Sequence, residues 1–376
     1  MSPEPEARRR GAAPGVSGKH KIRLVLSPEA ERYVRRDAPL DVRLLAASGA
    51  LPLPPVELLT VLFVLAHDAE APVKERAQKS IERLPDTVMS AALGGAAHPA
   101  VLSYCAHAFR DLPERLEAIA LNAAADDATV AFLAGLPHRR VVEIVSNNQE
   151  RMLRCPEIVD ALGQNPLTGR AVIDRILGFL GLERRAEEVV DDLDGDVLPP
   201  PAPVNDAEAR AVLNAVLGED VSGFAQELVV DSGAPLDEEA TKNLHALVQK
   251  MSVFDKIKLA RLGNQEARSL LVRDRNKLVA AAAVRSPKVQ EQEVVAFAKA
   301  RNVSDDVLRI ISSNREWTRG YQVKLALASN PKTPQQTAIK FLNYLQERDL
   351  RSLMKSKEVS SAVATHARRL LQRKGK

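Results

Sequence analysis

The chain has 376 residues and a formal net charge of +4; 45% of it is hydrophobic but only 3% is aromatic. So few rings argue against a β-rich core and against an interleaved array of aromatics for stacking on nucleic-acid bases. The longest apolar run, LLTVLFVLA at 58–66, is far shorter than a membrane span and reads as a buried core helix.

Residues 1–22, beginning MSPEPEARRR, contain no apolar run of signal-peptide length and read as a disordered tail. GVSGK within it is not a phosphate-binding loop, because the glycine spacing is wrong and no strand precedes it. With no export signal and two cysteines, Cys105 and Cys155, a cytoplasmic location is expected.

Residues 23–182 read as a first helical-repeat array. Turn signals such as HDAEAP, RLPD, DLPE and LPH punctuate it, and apolar residues three or four apart lie between them, as in Val73, Ala77, Ile81 and Leu84. Near its end stands NPLTGRAVIDRILGFL, 165–180, in which Asn165 is predicted to cap a helix whose first residue is Pro166. Residues 183–235 read as an acidic, proline-rich linker with short helices; residues 183–239 hold 3 basic side chains against 16 acidic ones.

Residues 236–376 read as a second, basic array, with 28 Lys and Arg against 11 Asp and Glu over 240–376. Here NPKTPQQTAIKFLNYL, 330–345, repeats the earlier punctuation. Asn165, Pro166 and Thr168 fall on Asn330, Pro331 and Thr333, while Ile176, Leu177, Phe179 and Leu180 fall on Phe341, Leu342, Tyr344 and Leu345. SNNQE at 146–150 matches SSNRE at 312–316, and VAF occurs at both 130–132 and 295–297. Matches in constant order and at a near-constant offset predict an internal duplication. Ser313 with Glu316 is predicted to form a capping box, with Asn147 and Glu150 as a looser version. The helix from Pro331 is predicted to bury Ala338, Phe341, Leu342 and Leu345.

HDAEAPVKERAQKSIERLP, 67–85, resembles the second helix of a HEAT repeat through Asp68, Val73-Lys74, Ala77 and Ile81 or Leu84. LALASNPKTPQQTAIKFL, 325–342, is similar to the leucine-rich-repeat-variant pattern, in which Asn-Pro-x-Thr-Pro links one short helix to the next. The resemblance implies an all-α fold, a right-handed α-solenoid of HEAT-like helix pairs in two internally duplicated arrays. Variant repeats can accompany an iron-sulfur cluster, but two cysteines cannot supply four thiolates, and no cofactor is expected.

The seven histidines show no metal-ligand spacing, and Asp305-Asp306 suits a helix start, so no catalytic or metal-binding residues are expected. The candidate interaction surface comprises Trp317, Arg319 and Tyr321, read as sharing one helix, and Arg368, Arg369, Arg373 and Lys374 of the basic terminus. By alignment, Trp317 corresponds to Arg151. The function expected is that of a non-catalytic scaffold or adaptor for a protein with an acidic surface, with the acidic linker competing for the basic face. The alternative is nucleic-acid binding by the basic array. HEAT-like DNA glycosylases, which use tryptophans with an aspartate and an arginine in a basic groove, are a remote enzymatic variant; Trp317 is the chain's one tryptophan.

Overall fold

The computed structural model describes residues 24–182, 204–230, 238–356 and 358–374. The expected tail and most of the proline-rich part of the linker lie outside the described residues. Among the described residues there are 24 α-helices, one short 3-10 helix and no β-strand, so the fold is all-α. The chain divides into two compact units at Cys105 and Ala106, within the stretch read from sequence as the first array.

The first unit contains α1 (Pro28–Val34), α2 (Leu40–Ala46), α3 (Pro55–Leu65), α4 (Ala71–Arg83) and α5 (Asp86–Gly94); α6 (Pro99–Ala108) runs across the division. Proline stands in the first turn of α1, α3 and α4, where its fixed φ suits the helix and its missing N–H costs nothing. Leu58 through Phe63 and Leu65 of α3 are all buried, as expected of a helix apolar on every side. It packs against α1, α4 and α5. Val73, Ala77, Ile81 and Leu84 are buried as predicted. Asp68, in the turn before α4, accepts 2.6 and 2.8 Å hydrogen bonds from Arg43. Burial alone would raise its pKa, but the bonds from the Glu70 N–H and Arg43 outweigh it and hold the carboxyl below its ordinary value.

The second unit begins with α7 (Pro113–Leu121), α8 (Asp127–Ala134), α9 (Arg139–Ser146), α10 (Gln149–Arg154), α11 (Pro156–Gln164) and α12 (Arg170–Phe179). Then come α13 (Ala207–Leu217), the 3-10 turn Gln226–Leu228, α14 (Glu238–Lys250), α15 (Val253–Leu262), α16 (Gln265–Leu271) and α17 (Lys277–Arg285). The chain continues with α18 (Glu291–Lys299), α19 (Asp305–Ser313), α20 (Arg315–Arg319), α21 (Tyr321–Ser329), α22 (Gln335–Leu342), α23 (Glu347–Lys355) and α24 (Ser361–Lys374). The run α7 to α12 corresponds in order to the run α17 to α22: α9 packs on α7 as α19 does on α17, and α11 on α8 as α21 does on α18.

The repeated Asn-Pro has a different role from the one predicted. Asn165 and Asn330 end α11 and α21, and the next helices begin only at Arg170 and Gln335. Proline disfavours helical backbone in the residue before it, so each asparagine adopts ψ near 120° (125° and 121°) and stops its helix. The side-chain oxygens cap no new helix but accept from the N–H two residues on, Leu167 and Lys332, at 2.9 and 3.0 Å, while the amide nitrogens make tertiary bonds. Asn165 Nδ2 donates to Ala134 O and Leu136 O at 2.7 and 2.8 Å, and Asn330 Nδ2 donates to Ala298 O and Ala300 O at 2.8 and 2.9 Å. The Thr168 and Thr333 N–H groups close the two turns onto the asparagine carbonyls at 3.2 and 3.1 Å.

The capping boxes are also displaced by one residue. Ser313 lies inside α19 and its hydroxyl donates to Ile310 O, while Asn314 is the N-cap of α20 and Asn148 that of α10. Asn264 caps α16 in the same manner, so that Asn-x-Glu starts a helix at 148, 264 and 314. The asparagine oxygens accept from the N–H groups of Arg151, Ala267 and Trp317 at 3.1, 3.0 and 3.2 Å.

Within this unit the end of the first run packs directly on the second. Arg285 of α17 is paired with Asp174 of α12, both side chains being nearly fully buried, and Arg170 donates to Ser313 Oγ at 2.9 Å. Of the stretch read as linker, α13 packs on both α10 and α15, and Asp206 bonds Arg154 at 3.2 Å.

Candidate interaction surface

The C-terminal cations stand on α24. Val363 and Ala367 are buried, and Leu370 and Leu371 partly so, in a cluster with Leu350 and Leu353 of α23 and Ala338 and Leu342 of α22. These four positions share one face at i, i+4, i+7 and i+8, which turns Arg368, Arg369 and Arg373 to solvent, where all three are exposed. Lys374 is the last helical residue, and its side chain lies outside the description. No acidic residue follows Glu358 in the chain, and Glu358 is itself paired with the exposed Arg301. Cations in the last turns also suit the helix dipole, so part of this pattern stabilises α24.

Trp317, Arg319 and Tyr321 do not form one patch. Gly320 separates α20 from α21, so Tyr321 begins a new helix. Trp317 is buried, at 5% exposure, and Arg319 is exposed. Tyr321 is half-buried, and its hydroxyl donates to Asp349 and accepts from the Gln346 N–H at 3.1 Å, fastening α21 to the start of α23. Burial, followed by the bond to the Asp349 carboxylate, raises the phenol's pKa. Of this trio, only Arg319 is fully exposed.

Sequence reading missed a cleft of about 770 Å³ between α11 and the helices α14 to α17. Val248, Val253 and Val279 line part of it, with the exposed Arg273, Arg275 and His245 also on its walls. Its interior charges are internally compensated. Lys256 bonds Asp274 at 2.9 Å, and Asn276 donates to Asp160 at 3.2 Å while capping α17. Ser252, also on its wall, is occupied as the N-cap of α15 and donates to Asp255 at 2.7 Å. The signal in the sequence was RDRNK at 273–277, a short basic run placed at a helix start.

Cys105 is buried, and Cys155 is a free thiol of intermediate exposure. Burial and the Glu157 carboxylate, which accepts from Sγ at 3.1 Å, push the Cys155 thiol up to about 11. It therefore stays protonated near neutral pH and is a poor nucleophile or metal ligand. Among the described residues no group of three or more His, Cys, Asp or Glu is placed to hold a metal ion, and no helix is long and apolar enough to cross a membrane.

No family model and no curated protein sequence matches this chain. Among solved structures, the chain has a distant similarity to an engineered protein, a structural genomics target. The sequences are 14% identical over 93% of this chain and 99% of the other, with a TM-score of 0.18, a level that does not bear on this chain's fold or role.

Proposed function

We propose that this chain is a non-catalytic cytoplasmic scaffold, an α-solenoid of HEAT-like helix pairs whose basic C-terminal array holds a protein with an acidic surface. The matched order of α7–α12 and α17–α22 supports the repeat reading, because stacked helix pairs bury their faces against neighbours and leave an extended surface for binding. One observation carries the choice of partner: Arg368, Arg369 and Arg373 are exposed on a helix anchored by its opposite face. Positive surface of this kind steers acidic partners and suppresses basic ones.

The runner-up, nucleic-acid binding, draws on the same cations. It is the weaker reading because Trp317 is buried, which removes the chain's one indole from stacking on bases. Tagged protein captured from lysate with and without nuclease separates the two. Nuclease-resistant partners support the scaffold; partners lost on nuclease treatment support nucleic acid. A direct measurement compares an acidic peptide with a short duplex for binding to the wild type and to a variant carrying Arg368→Gln, Arg369→Gln, Arg373→Gln and Lys374→Gln. Peptide affinity that the variant leaves unchanged removes this surface from the reading.

A further inference from the structure

The first unit carries a basic site of its own. A groove of about 650 Å³ runs along α4, lined by Ser48, Gly49, Arg76, Lys79, Ser80 and Arg83. Its far wall depends on the turn after α2. Gly49 has φ +76°, a left-handed backbone that favours glycine, and a Cβ there would lie 3.6 Å from Ser80 Cβ and 3.9 Å from Leu84 Cδ2. The turn therefore lies close beside α4 and forms a groove where a lone helix would present an open face.

Arg76, Lys79 and Arg83 follow one another at i, i+3 and i+7, a narrow stripe flanking the buried face of Val73, Ala77 and Ile81. All three are exposed, and none has a hydrogen-bond or ion-pair partner among the described residues. In this they differ from Arg43 of the same unit, which is fully engaged by Asp68 and the Ala38 carbonyl. Glu75 is the acid on the wall, set against three cations. The Ser80 hydroxyl is likewise without a partner among the described residues, and Ser48 donates to Leu45 O and keeps its lone pairs available.

We infer that this groove binds an extended acidic peptide segment of a partner protein. The cations span about 10 Å of helix axis, and same-face residues of an extended chain recur about every 6.6 Å, so two carboxylates at alternate positions meet the three cations. The serine hydroxyls face the peptide backbone between them. Pro72, Leu84 and Pro85 complete the walls and supply no ring for a base to stack on, which favours a peptide over a single-stranded nucleic acid.

The test uses the full chain and a fluorescent peptide of alternating glutamate and serine. Zero-length carbodiimide coupling joins a peptide carboxylate to a lysine amine in contact with it, and the site of coupling is read by mass spectrometry. Coupling at Lys79 is expected; coupling confined to lysines outside the groove overturns the assignment. In the background already neutralised at Arg368, Arg369, Arg373 and Lys374, the triple change Arg76→Gln, Lys79→Gln and Arg83→Gln should weaken peptide binding about tenfold or more. Arg76→Lys with Arg83→Lys should retain most of it. Unchanged affinity in the triple variant overturns the proposal. A single-stranded oligonucleotide that binds the wild type more tightly than the peptide, and is lost in the triple variant, overturns the class of ligand. Because the α24 cations are already removed in that background, failure here leaves the C-terminal reading untouched, and failure there leaves this one standing.

Discussion

Two stretches of the second unit, 122–180 and 286–345, follow the same course of helices but fill one position differently. Three residues after the cap Asn148, Arg151 reaches back to the preceding turn and donates to Ala125 O, Ala123 O and Asn122 O at 2.6, 2.8 and 3.3 Å. Three residues after the cap Asn314 stands Trp317, whose buried indole offers bulk where the guanidinium offers donors. The backbone is the same at both places, since each N–H bonds its asparagine. Caps and turn asparagines thus set the path of the chain, while the side chain beneath the cap can be a guanidinium that clamps carbonyls or a buried indole that fills space. Trp317 reads more readily as this filler than as a ligand-binding ring.

Emptying both positions is the most direct way to break this comparison. Trp317→Ala is expected to cost ~3–5 kcal/mol, measured as a fall in the urea midpoint. A cost below about 1 kcal/mol would mean that the indole fills nothing. Next come the turn asparagines. Asn165→Ala and Asn330→Ala should each cost about 2–3 kcal/mol and agree within about 0.5, because each loses two donated bonds to buried surroundings. A large disagreement would show that the two turns are not equivalent. Arg151→Ala should be milder, about 1–2 kcal/mol, since one of the carbonyls it releases, that of Ala123, belongs to an exposed residue.

Acidity sharpens the distinction between arginine clamps. Arg43 closes on a carboxylate, Asp68, held below its ordinary pKa of 3.8, whereas Arg151 closes mainly on carbonyls. A group with a depressed folded-state pKa contributes stability that is complete above its unfolded value and is lost as pH falls through the folded one. The gap in melting temperature between wild type and Asp68→Asn, worth about 1 kcal/mol at neutral pH, should therefore close below pH 3.8. The Arg151→Ala gap should narrow far less. The smallest effect belongs to the exposed cations. Arg368→Gln, Arg369→Gln and Arg373→Gln together should leave stability within about 0.5 kcal/mol, so that any binding they lose is not a folding effect.

What could be read from the sequence was local. The buried spacing of Val73, Ala77, Ile81 and Leu84 holds, as does the burial of Ala338, Leu342 and Leu345, with Phe341 partly covered. The role of Asn165 was not legible, because what makes it a stop rather than a start is a pair of carbonyls about 30 residues earlier, at Ala134 and Leu136. The third Asn-x-Glu, at Asn264, could have been found. It was hidden because the turn after α17 is written Ser286-Pro287, so the Asn-Pro flag is missing beside it. Arg319 and Tyr321 looked like neighbours of Trp317 only while α20 and α21 were read as one helix; Gly320 divides them. The shape of the cleft beside α11 was not legible for a related reason, since the RDRNK run meets its opposite wall across more than 100 positions, as in the bond between Asp160 and Asn276.

The asparagine bonds also bear on how the chain finds its structure. Each joins residues only 29 to 32 apart in sequence, so the loops they close are short and local contacts can form without waiting for the rest of the chain. The pairing of Asp174 with Arg285 closes a loop of 111 residues, and that of Arg170 with Ser313 one of 143. Loop-closure entropy rises by about 0.6 kcal/mol for each doubling of length, and the Asp174–Arg285 pair must also shed its hydration. The two helical runs should thus acquire their turns independently and early, with the seam between them forming last. In hydrogen exchange pulsed during refolding, protection across the seam of α12 and α17 should then appear after that of the turns within either run.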